Sequence, residues 1–147
     1  LNDRGSPESD TAMNQKTIQK INRDHQQDNI LDELRREKAA VLARAGWAVE
    51  DVITKLARLE DTIQFKLSSL ISMASDIDSG EWSQRKKLIC EEINICIEEF
   101  NAVRQKAQLN YYYLIVTREA LGLRRHEAVQ TIYRIPDRKK KIETNHG

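Results

Sequence analysis

The chain has 147 residues, of which 32% are charged and 5% aromatic, with 5 Gly, 2 Pro and a formal net charge of +1. That length suits one domain, but few helix breakers and many charges argue against a compact globule and for long, solvent-facing helices. A balance this close to neutral excludes a global pull towards nucleic acid or anionic lipid and leaves only local clusters to attract either.

Residues 1–12 (LNDRGSPESDTA) carry almost nothing to bury and read as a flexible N-terminal segment. Met13, which follows, would serve as a translation start. Residues 13–29 form a polar arm whose clear apolar pair is Ile18 and Ile21, so a helix there would be stable only when docked.

Residues 30–135 hold the folded part. From Leu31 to Ile77, apolar residues return in alternating steps of three and four. Leu42, Val49, Leu56, Ile63, Leu70 and Ile77 form one line at seven-residue spacing, and Leu31, Ala45, Val52, Leu59 and Met73 form its neighbour. This is the a/d seam of a coiled-coil helix. Lys38 and Lys66 interrupt the second line, where a lysine stem can lie along the seam with its ammonium in water. Gly46 costs roughly 1 kcal/mol in a helix relative to alanine, yet both lines pass it without a phase shift. The helix therefore continues, and the glycine leaves room for a close neighbour or for Trp47.

Between Ser75 and Ser83 the chain turns. Gly80 is expected to supply the permissive backbone, with Asp78, Ser79 and Ser83 as N-cap candidates. So short a connection forces an antiparallel hairpin. The second helix, from about Trp82 to Leu121, repeats the pattern. Ile93, Phe100, Ala107, Leu114 and Leu121 form one line, and Ile89, Cys96, Val103, Asn110 and Thr117 form the next. A further line of Leu88, Ile95, Ala102, Leu109, Val116 and Leu123 is apolar throughout. The first helix can cover only one of these seams, so the extra one calls for a companion: a second copy, giving a homodimeric four-helix bundle, or a helix of another protein. Gly122 then fits the C′ position, Leu123 to Ile135 read as a short helix with Val129, Ile132 and Tyr133 on one side, and Pro136 ends it. Residues 136–147 read as a basic flexible tail.

The expected architecture is all-α: a long antiparallel helical hairpin, coiled-coil-like, with a short C-terminal helix, completed by dimerisation. The partner-binding candidates are Leu88, Ile95, Ala102, Leu109, Tyr112, Val116 and Leu123, with Glu92, Glu99, Lys106 and Asn110 setting specificity. Asn110, on an apolar line, can fix register. The function expected is a non-enzymatic interaction module, an adaptor, chaperone or scaffold element. The alternative is a dimeric nucleic-acid-associated regulator contacting phosphates through Arg124, Arg125, Arg134, Arg138, Lys139, Lys140 and Lys141.

Catalysis and cofactors are not expected. The sequence has no phosphate-cradling glycine loop, no Gly-x-Ser-x-Gly, no His-Glu-x-x-His and no zinc-spaced cysteine pairs. Glu92 and Glu99 lack the Glu-x-x-His partners of a di-metal bundle, and His25, His126 and His146 are scattered. Cys90 and Cys96, about 9 Å apart along a helix, cannot bridge each other and suit a reducing, cytoplasmic setting, with Cys96 as a small core residue. The most apolar run, Tyr111 to Val116, is too short to span a bilayer.

Overall fold

A computed structural model describes residues 7–75 and 79–143, with side chains described for 14–75 and 80–143. Residues 1–6, the turn residues 76–78 with Ile77 and the cap candidate Asp78, and residues 144–147 lie outside the described residues. The described chain is all-helical apart from turns and an extended C-terminal stretch. Its helices are α1 (Pro7–Met73), α2 (Ser79–Ala120) and α3 (Glu127–Ile132).

The chain divides into two units, Leu1–Val41 and Leu42–Gly147, and the boundary between them falls inside α1. In the first unit the helix starts at Pro7, within the stretch read as a flexible segment. A proline is tolerated at a first helical position because its missing N–H would have had no intrahelical partner. Every described side chain from 14 to 41 is exposed, Ile18, Ile21, Ile30, Leu31 and Leu34 among them. The seam that begins at Leu31 in the sequence is buried only in the second unit.

There α1 and α2 pack as the hairpin expected. Val52, Leu56 and Ile63 of α1 meet Ile93, Ile97, Phe100, Val103 and Ala107 of α2 in the main core, and Val49 joins Leu114 and Val129 in a second cluster. Two cross-helix bonds fix the antiparallel register: Lys66 Nζ pairs with Glu92 at 3.1 Å, and Asn110 Nδ2 donates to the Ala48 carbonyl at 3.1 Å. Cys90 is buried more completely than Cys96, because Cys90 and Ile97 add a third inward line.

Of the two turn glycines, one departs from expectation. Gly80 lies in the first turn of α2 with an ordinary φ and needs no glycine, and Ser83 lies too far into the helix to cap it. Gly122 is the residue that needs its freedom: its φ is 89°. The Leu123 N–H bonds the Arg118 carbonyl at 2.8 Å and the Gly122 N–H bonds the Glu119 carbonyl at 3.0 Å, the two closures of a Schellman motif. Helix α3 is shorter than expected and buries Val129, while Ile132 is exposed rather than inward. Tyr133 reaches α1, where its hydroxyl stands 3.4 Å from the position a Cβ on Gly46 would take. The close neighbour that Gly46 admits is thus a phenol, not a helix, and Trp47 stays exposed.

The largest departure concerns the tail. Residues 136–143, read as loose and free of core residues, run extended along the helix pair. Ile135 and Ile142 pack on the main core, and Arg104 Nε donates to the Pro136 carbonyl at 2.7 Å.

Candidate functional site

Successive residues of an α-helix point about 100° apart, so Ala102 projects about 200° away from Phe100, the largest fully buried side chain of α2. The line expected to need a companion is consequently the outward one. Leu88, Ile95, Leu109, Val116 and Leu123 are 41–65% exposed, and Ala102 is exposed between them. Tyr112 and Tyr113 are also exposed, with ring centroids 6.1 Å apart, while Tyr111 packs on the second cluster.

Of the four residues expected to tune specificity, two are engaged within the chain: Glu92 pairs with Lys66, and Asn110 donates from its amide to the Ala48 carbonyl. Glu99 and Lys106 are exposed on the flank of the apolar line.

The phosphate candidates are likewise divided. Lys139 pairs with Glu60 and lies over the Phe100 ring, its nitrogen 5.0 Å from the centroid, and Lys141 meets Glu98 at 2.7 Å. Arg124, Arg125, Arg134, Arg138 and Lys140 remain exposed, spread over two turns and the tail rather than gathered on one helix face. The Lys139 hydrogen bond holds the Glu60 carboxyl below its ordinary range against the opposing effect of burial, and the Lys141 hydrogen bond does the same for Glu98. Burial first, then the nearby Glu50 carboxylate, pushes the Tyr133 phenol up.

The residues that sequence reasoning passed over are Asn94 and Asn101. Each amide makes two bonds with the main chain of one tail residue. Asn94 Nδ2 donates to the Ile142 carbonyl at 3.0 Å and Asn94 Oδ1 accepts from the Ile142 N–H at 2.7 Å. Asn101 makes the same pair with Lys139, at 2.9 Å in both directions. The available signal was two asparagines one heptad apart beside an apolar line, and a single isoleucine inside a basic run.

Near α3, Arg118 braces the connection by donating from Nε to His126 Nδ1 at 3.3 Å and from Nη2 to the Arg125 carbonyl at 2.9 Å. An acceptor Nδ1 puts the proton of a neutral imidazole on Nε2, 3.1 Å from Glu119. This arrangement is structural: it closes the turn after α2. Among the described residues no group of three His, Cys, Asp or Glu side chains is placed to hold a metal ion, and no helix is long and apolar enough to cross a membrane. Compared with known proteins, the chain matches no family model, no curated protein and no solved structure.

Proposed function

We propose that the chain is a non-enzymatic helical interaction module, an adaptor, chaperone or scaffold element, whose outward α2 face is covered by a second copy of itself. The observation that carries this reading is the symmetry of the exposed line about Ala102. In an antiparallel, two-fold pairing of α2 helices, Leu88 of one protomer faces Val116 of its partner, Ile95 faces Leu109, and Ala102 faces its own copy on the axis. A small residue at the crossing lets the two backbones approach.

Charge favours the same arrangement. In that register Lys106 of one protomer stands beside Glu99 of the other, on the same side of the apolar line. The resulting assembly is a four-helix layer in the order α1, α2, α2, α1, with the two α2 helices at its centre.

The test is a single cysteine on the axis. Ala102→Cys is expected to give a disulfide-linked dimer under mild oxidation, above the background of the wild-type thiols. Ile95→Cys is not, since its two copies would sit about 21 Å apart along the axis, beyond the roughly 7 Å that a disulfide spans between Cα atoms. In sedimentation, Leu109→Asp is expected to dissociate the dimer more than Tyr112→Asp. A wild-type chain that sediments as a monomer at every concentration, or equal cross-linking at both positions, overturns the reading.

A further inference from the structure

Asn94 and Asn101 lie seven helical residues apart, about 10.5 Å along α2. Ile142 and Lys139, the residues they hold, lie three extended residues apart, about 10 Å. The two repeats match, so each asparagine meets one main-chain residue of an antiparallel, extended segment. A side-chain amide offers one donor face and one acceptor face, as a neighbouring strand would, and it recognises backbone whatever the side chain.

Selectivity comes from what flanks the asparagines. The Lys139 ammonium sits between the Glu60 carboxylate and the Phe100 ring, and Ile142 rests on the main core. Lys141 adds an exposed pair with Glu98, while Arg138 and Lys140 face water. Val52, Leu56 and Ile63 pack directly against Ile93, Ile97, Phe100, Val103 and Ala107, and Ile142 lies half-buried at the margin of that core.

We propose that this face of the hairpin is a binding groove for an extended peptide carrying a lysine followed three residues later by an aliphatic residue, and that residues 139–142 occupy it in cis as a displaceable pseudo-ligand. Tethering gives the chain's own tail an effective concentration of about millimolar, so a competing peptide gains entry when the tail is weakened or removed from its seat.

The experiment uses the full-length chain with Lys139→Glu and Ile142→Asp, which deprive the tail of both anchors, and a fluorescein-labelled peptide with the sequence of residues 136–143. Fluorescence anisotropy is expected to show saturable binding at least tenfold tighter than to the wild-type chain, whose groove is filled. Adding Asn94→Ala and Asn101→Ala to the same chain is expected to weaken binding at least tenfold. Circular dichroism checks that each variant keeps its helix content. A folded Lys139→Glu, Ile142→Asp chain that binds no better than wild type overturns the proposal. So does binding that survives loss of both asparagines, or equal binding of a scrambled peptide of the same composition, either of which would reduce the face to a cation-attracting patch.

Discussion

At the scale of single residues, Gly122 and Gly46 separate propensity from necessity. Gly122 sits at φ 89°, where an L side chain meets its own carbonyl, so Gly122→Ala is expected to cost about 1–2 kcal/mol in urea unfolding. Gly46 has ordinary helical geometry, and a Cβ there would come to 3.4 Å from the Tyr133 hydroxyl, the tip of a side chain able to shift slightly. The helix-propensity gain of up to about 1 kcal/mol should win, and Gly46→Ala is expected to raise the unfolding midpoint modestly. Opposite signs are the checkable content; equal losses would mean that the Tyr133 seat is rigid. Only the first glycine was legible from sequence, because a C′ position follows from where the heptads stop. That Gly80 needs no special backbone could not be read, since it depends on α2 starting at Ser79 rather than at Trp82.

At the scale of elements, the C-terminal segment is held by acid and base chemistry at its two ends, and this fixes its pH range. Glu60 titrates below its ordinary 4.5 because Lys139 donates to the carboxylate. A folded-state value below the unfolded one means that the stabilisation is fully present above 4.5 and lost as pH falls through the lowered value. Glu98 has the same sign through Lys141, with less consequence on an exposed surface. Tyr133 has the opposite sign: raised above its ordinary 10.0, it supports the fold below that pH and ceases to do so as pH rises through the raised value. The Lys139 and Ile142 amide resonances in NMR are therefore expected to move towards random-coil positions below pH 4.5 while those of Ile93 and Phe100 persist. Molar salt should bring that loosening to higher pH, since the Glu60 carboxylate is partly open to screening. In an absorbance titration, Tyr133→Phe should delete a late-ionising phenol. This docking was hidden in the sequence. A run of Arg138, Lys139, Lys140 and Lys141 reads as solvated, and only the partners Glu60, Glu98, Asn94 and Asn101, distant in the chain, turn it into a strap.

At the scale of the whole molecule, the hairpin itself was legible because heptads record burial directly: Val49, Leu56 and Ile63 on one helix and Ile93, Phe100, Ala107 and Leu114 on the other are buried as their lines required. The outward line of α2 was legible for the same reason, as apolar spacing in excess of what one partner helix can cover. Its exposure carries no orientation by itself, whereas charge does. If two α2 helices pair about Ala102, Glu99→Lys opposes two like charges to Lys106 of the other protomer, twice over by symmetry. Exposed pairs are worth about 0.2–1 kcal/mol each, so the dimer dissociation constant should rise between about twofold and thirtyfold at low salt. Lys106→Glu should weaken it similarly by meeting Glu99. The chain carrying both changes restores opposite signs at the contact and should recover most of the affinity, and all three effects should shrink at high salt. A parallel dimer does not give this pattern, because there each flank of the apolar line faces the partner's opposite flank, and Glu99 and Lys106, which share a flank, do not meet. Analytical ultracentrifugation of the four chains across a concentration series distinguishes the two: recovery in the double variant assigns the antiparallel pairing, and additive weakening rejects it.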